Sequence, residues 1–148
     1  MRHDSRLPRV LHLLLHLEEM GRPATSAELA AMLQTDGAVV RRTLAGLRER
    51  GWLVSTRGHG GGWSLASPLR EITLLDLYEA LGAPPLFAVG HTGADARCLM
   101  ERAANRAVEL ALVDAESAFR SRLAGVTVAD LAADFRERLA RSIPCEGA

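Results

Sequence analysis

Apolar residues recur every three or four positions from the start of the chain. Leu7, Val10, Leu11, Leu14 and Leu17 share one helical face and predict a helix from about Ser5 to Met20. Gly21 stops it, and Pro23 confirms the break. Thr25-Ser26-Ala27-Glu28 has the spacing of a capping box, in which Thr25 caps and Glu28 reaches back. It opens a short helix, Ser26 to Leu33, with Leu29, Ala30 and Leu33 as its apolar face. Gln34-Thr35-Asp36-Gly37 makes a turn. A third helix, from about Gly37 to Arg50, is capped by Thr35 or Asp36 and stopped by Gly51. Val40, Leu44 and Leu47 point inward on it, while Arg41, Arg42, Arg48 and Arg50 point outward.

The period then changes. Trp52-Leu53-Val54 and Trp63-Ser64-Leu65 are short apolar runs on either side of Thr56-Arg57-Gly58-His59-Gly60-Gly61-Gly62. Runs separated by glycines predict a two-stranded hairpin, with Arg57 and His59 at its tip. A short helix, a tight turn and a helix with a basic face form a helix–turn–helix pattern, and the hairpin becomes its wing. In that geometry the first turns of the second helix enter the major groove. Ser26, Thr35, Asp36, Ala38, Val39, Arg41, Arg42, Arg57 and His59 are the candidate DNA-binding residues. Arginine bonds guanine bidentately and also grips phosphate. Asp36 could accept from cytosine or simply cap its helix. The plainer reading of Arg41 and Arg42 is a solvated helix face; the adjacent wing favours DNA.

Ala66-Ser67-Pro68-Leu69 is expected to be a loop. A helix follows, with Thr73 as cap and Asp76 at the capping-box position, running to Leu81. Gly82-Ala83-Pro84-Pro85 breaks it, and residues 86–94 lack a period. From Asp95 the pattern is helical to Leu123, about 28 residues or roughly 40 Å. Met100, Ala104, Ala107, Ala111, Ala115 and Ala118 form an alanine stripe beside a ridge of Val108, Leu112, Phe119 and Leu123. One face can cover the winged-helix core. The other is left for the same helix of a second chain, or for the last helix, Val128 to Arg141, capped by Thr127. A homodimer is expected, and two-fold readers suit palindromic operators. The expected fold is mainly α with a small β-hairpin wing. The expected division is a winged helix–turn–helix at 1–82, a loop at 83–94, dimerisation helices at 95–141 and a tail at 142–148.

Composition refines this picture only slightly. Hydrophobic content is 48% and aromatic content 4%, which favours a helical core of Leu, Val and Ala. Net charge is zero, but residues 1–63 hold nine Arg against six acidic residues, and residues 64–148 hold nine against twelve. A basic front half suits nucleic acid, weakly. No apolar run reaches a membrane span and no secretory leader is evident, so a soluble cytoplasmic protein with no membrane partner is expected. Two cysteines, Cys98 and Cys145, do not make a disulfide framework. His12 and His16 lie one turn apart, the spacing of a metal pair. For want of a nearby carboxylate or cysteine they are read as partly exposed histidines on a packed helix, and no metal site is assigned.

The helix–turn–helix, Arg57-Gly58-His59-Gly60-Gly61-Gly62-Trp63-Ser64-Leu65-Ala66, Ile72-Thr73-Leu74-Leu75-Asp76 and a cysteine at the opening of a long helix together resemble the Rrf-two family of bacterial winged-helix regulators, the IscR, NsrR and CymR family. The resemblance covers about Leu7 to Leu139. It implies a dimeric, two-fold DNA-binding regulator. It implies that helix 37–50 reads the major groove, that Arg57 reaches the minor groove, and that crossed long helices form the dimer interface. Cluster-binding members carry three cysteines around positions 90–106, where this chain has only Cys98. His91, Asp95 and Glu101 are poor substitutes, because clusters are held mainly by thiolates, typically four. No cofactor is expected, an iron–sulfur cluster included.

Asp95 is the expected cap of the long helix, which puts Cys98 at the third helical position. The helix dipole and free N–H groups there favour a thiolate. Cys98 is the candidate sensing residue, an oxidation-sensitive thiol; the resemblance supports this, since some relatives with few cysteines sense oxidants or electrophiles. The plainer reading is a small buried hydrophobe. The function expected is sequence-specific DNA binding by a dimeric transcriptional regulator, a repressor switched at Cys98. The alternatives are a regulator whose small-molecule ligand lies between loop 82–94 and the long helix, or a winged-helix module that docks proteins. An enzyme is not expected: there is no nucleotide loop, no HExxH-like helix and no supported catalytic triad.

Overall fold

The computed structural model describes residues 4–89 and 98–142. Helix α1 spans Arg6–Met20 and ends where Gly21 turns left-handed at φ 58°. Helices α2 (Ser26–Met32) and α3 (Gly37–Glu49) follow. Strands β1 (Leu53–Thr56) and β2 (Gly62–Leu65) pair antiparallel, with Leu53 opposite Leu65 and Thr56 opposite Gly62. A 3-10 turn at Leu69–Glu71 follows the expected loop and overlaps it only at Leu69. Helices α4 (Leu74–Ala80), α5 (Leu99–Ala124) and α6 (Val128–Ser142) complete the described chain.

The caps show why these segments start where they do. In both α2 and α4 the Thr hydroxyl accepts from the N3 backbone while the N3 carboxylate takes the cap's N–H, Thr25 with Glu28 and Thr73 with Asp76. Thr127 and Asp130 make the same exchange at the start of α6. Backbone bonds from Leu74 to Val126 (2.9 Å) and from Val128 to Ile72 (2.9 Å) bind the starts of α4 and α6 side by side.

The core is aliphatic, as the low aromatic content requires. Val10, Leu13, Leu14 and Leu17 of α1 meet Leu29, Val40, Leu44, Leu47, Leu53 and Ile72, all buried. Leu13, absent from the expected face, is among the most buried. A third strand-like segment joins the hairpin at one residue. Ala24 exchanges both backbone bonds with Trp63, at 3.0 and 2.8 Å. This anchors β2 beside the entry to α2.

Helix α5 begins at Leu99, not at Asp95, which lies outside the described residues with the rest of 90–97. None of its residues is buried. Val108, Leu112, Phe119 and Leu123 are half-buried, and the helix leans on α4. Tyr78 and Phe119 meet edge to face, with centroids 5.4 Å apart. Helix α6 does not cover the alanine stripe; it packs against α1 and the 3-10 turn, and Arg136 pairs with Glu19 at 2.8 Å and Glu18 at 3.6 Å.

Candidate nucleic-acid interface

The wing is built by close backbone approach. An added Cβ on Gly62, where φ is 154°, would lie 2.5 Å from the Ala24 carbonyl oxygen. At the tip the Gly61 N–H donates to the Gly58 carbonyl at 3.0 Å, and Gly60 between them has φ 75°. Arg57 and His59 stand exposed on this turn.

Trp63 fixes the wing to the helices. It is buried, and its indole N–H donates to Ser26 Oγ at 3.0 Å. The Arg48 guanidinium lies 6.0 Å from the ring centroid. Ser26 is therefore the acceptor that orients β2 against α2; its hydroxyl hydrogen remains for a further partner. The Trp63–Ser26 contact is not legible from local sequence, because 37 residues separate the pair.

Helix α3 presents its first turns outward. Ala38, Val39, Arg41 and Arg42 are exposed and Thr35 is half-buried. Asp36, rather than Thr35, is the N-cap, and its Oδ1 accepts from the Ala38 N–H at 2.6 Å. Arg41, Arg42 and Arg57 have no carboxylate partner among the described residues, whereas Arg22 and Arg136 are paired. With Arg48, which meets only Ser55 Oγ and the Trp63 ring, these cationic groups on α3 and the wing, which β1 joins directly to α3, have no carboxylate to neutralise them among the described residues.

Cys98 is the N-cap of α5, not its third residue, and it is exposed rather than buried. The backbone N–H of Glu101, then that of Met100, holds its thiol below the ordinary value. Met100, Ala104, Ala107, Ala111 and Ala118 are exposed and Ala115 is half-buried. Leu110 and Val113, outside that stripe, are also exposed, at 52% and 58%. Sequence reading missed both; their exposure follows from α5 meeting the protomer along only one side.

Among the described residues no three His, Cys, Asp or Glu side chains converge as a metal site. His91 and Asp95 lie outside them, as does Cys145. A cavity of about 420 Å³ lies between the start of α1, the end of α4 and α5, lined by Leu7, Tyr78, Pro84, Phe87 and Phe119 among others.

Residues 3–134 match the sequence profile of the Rrf2 family, described as an iron-dependent transcriptional regulator. No match is found among curated proteins. The fold is similar to that of a candidate transcriptional regulator from Lactobacillus plantarum, with 25% identity, a TM-score of 0.73, and coverage of 94% of this chain and 99% of that one. It is also similar to CymR, the global cysteine regulator of B. subtilis, at 21% identity and TM-score 0.66, covering 90% and 97%. IscR of T. potens matches at 16% identity and TM-score 0.65, covering 100% and 93%. An iron–sulfur cluster does not fit the described residues, since Cys98 is their single cysteine and such groups take mainly thiolates.

Proposed function

Because this chain belongs to the Rrf2 family of transcriptional regulators, we propose that it is a homodimeric repressor that binds a palindromic operator without an iron–sulfur cluster. Helix α3 reads the major groove through Ala38, Val39, Arg41 and Arg42, and the wing carries Arg57 and His59 to the minor groove or backbone. Thr35 and Asp36 lie at the groove-facing end of α3. The carrying observation is the set of unpaired arginines on α3 and a wing clamped to α2 through Trp63, Ser26 and Ala24. Two copies related by a two-fold axis present two such heads, which suits a palindrome.

Cys98 is the switch in this reading. Its thiolate attacks a peroxide oxygen; an S–O bond forms, the O–O bond breaks, water leaves after proton transfer, and sulfenic acid results. That change falls on the first turn of α5 and alters the spacing of the two heads. Exposure of Cys98 and a pKa lowered by the backbone N–H groups of Glu101 and Met100 support it. The 420 Å³ cavity supports a second reading, in which a small apolar ligand is the signal.

Fluorescence anisotropy tests these readings. The probe is duplex DNA from immediately upstream of the protein's own gene, compared with a scrambled duplex, using reduced and peroxide-treated protein. Selective binding that weakens on oxidation, and not in Cys98→Ser, is expected. Selective binding indifferent to peroxide discards the thiol switch and favours the cavity. Absence of DNA affinity even at low salt would sink the DNA-binding reading and favour a protein-docking module.

A further inference from the structure

Two histidines on α1 have no part in DNA reading. His12 and His16 lie one turn apart, with ring centroids 4.6 Å apart and planes tilted by 40°. Their Nε2 atoms converge to 2.9 Å. His12 is exposed and His16 half-buried, so the pair opens to solvent. The helix beneath them is fixed, because Leu13, Leu14 and Leu17 are buried in the core. Two neutral imidazoles facing each other through the same nitrogen have two lone pairs and can share a single proton or a single cation.

We propose that His12 and His16 form a two-nitrogen chelate for a divalent transition metal of the Cu²⁺ or Ni²⁺ class. The argument is geometric. At a metal–nitrogen distance of about 2.0–2.1 Å, nitrogens 2.9 Å apart subtend about 90° at the ion. That is the cis angle of a tetragonal site, while tetrahedral Zn²⁺ asks for about 109°. Cu²⁺ also heads the stability order for nitrogen ligands. Solvent fills the remaining positions, since no third metal-binding side chain converges among the described residues. Glu19 falls on the same face one turn beyond His16, contrary to the sequence reading, but Arg136 Nε holds its carboxylate at 2.8 Å. Leu13 stands where an HExxH helix has its catalytic glutamate, so the pair has no general base of that kind. A chelate across one turn of the central helix stabilises the folded state it selects.

The test titrates CuCl₂ into full-length protein carrying His3→Ala, His59→Ala, His91→Ala, Cys98→Ser and Cys145→Ser, which leaves His12 and His16 as the only imidazoles. Electron paramagnetic resonance reports the ligands, and thermal unfolding reports the stabilisation. One Cu²⁺ per chain with nitrogen hyperfine coupling and a raised Tm is expected. His12→Ala, at an exposed position, weakens binding at least about tenfold and cancels the Tm rise, with the metal-free Tm unchanged. His16→Ala does the same to affinity, and Zn²⁺ binds more weakly than Cu²⁺. Unchanged Cu²⁺ affinity in either variant, no binding by the parent, or Zn²⁺ exceeding Cu²⁺ overturns the assignment.

Discussion

Gly62 shows how a single missing side chain holds the wing. Alanine there sets a methyl 2.5 Å from the Ala24 carbonyl oxygen, so the Ala24–Trp63 bridge must open. We expect Gly62→Ala to lose about 1–3 kcal/mol of stability, read as a lower Tm by calorimetry. Gly58→Ala meets only an unfavourable φ of 95°, with open space around the new methyl, and loses less. Equal Tm values for the two variants would contradict this account. The glycine run itself was legible as a turn signal, because glycines between apolar runs mark hairpins. That Gly62 is sterically obligatory was not, because Ala24 is remote in sequence. The same distance hid the second role of Ser26, a candidate DNA contact whose hydroxyl also accepts from the Trp63 indole. Arg57 is a different kind of residue, since it is exposed and has no hydrogen bond or ion pair among the described residues. Arg57→Ala should leave Tm unchanged and reduce the slope of log affinity against log salt by about 1. A full slope with weaker selectivity would instead make Arg57 a base reader.

Helix starts carry the next level of consequence. Thr25 backbone donation, then Arg22 and the Thr25 hydroxyl, lowers the Glu28 pKa from 4.5 to about 2. A depressed folded-state value stabilises above pH 4.5, and that contribution disappears as pH falls toward about 2. Urea midpoints of the parent and Glu28→Gln should therefore differ at neutral pH and converge across that acid window. A constant difference would remove Glu28 ionisation from the explanation. The capping boxes were legible because their partners sit three residues apart. The start of α5 was not: Asp95 has cap chemistry, yet Cys98 is the N-cap, and the backbone N–H groups of Glu101 and Met100 lower its pKa. The consequence for reactivity survives that shift. With its pKa lowered, Cys98 should be alkylated by iodoacetamide at a pH below that needed by an ordinary thiol, measured with Cys145→Ser protein. A pH–rate profile matching that of a free peptide thiol would remove the helix start as the cause.

The long helix decides whether one protomer is a complete reader. A helix of 26 residues with none buried leaves apolar surface that the protomer itself does not use. Leu99, Met100, Leu110 and Val113 are between 52% and 84% exposed. The length and composition of α5 were legible in the sequence. The side on which the protomer spends its contacts was not, because that depends on where α4 and α6 come to rest. Helix α6 goes to α1, held there by Arg136, and so leaves the alanine stripe open. Small residues allow two helix backbones to approach closely, so the stripe suits a second α5 better than the bulkier Leu110 side does. Ala111→Glu places a charge on an exposed position without disturbing the protomer core. It should give a monomer in light scattering, with parent-like Tm at low concentration, and DNA affinity reduced to that of a single half-site. If Ala111→Glu stays dimeric while Leu110→Glu becomes monomeric, the interface lies on the Leu110 face of α5, about 100° round from Ala111, and the heads take another spacing. If both stay dimeric, α5 is not the interface, and the exposed Phe135 and Leu139 of α6 become the surface that joins the copies.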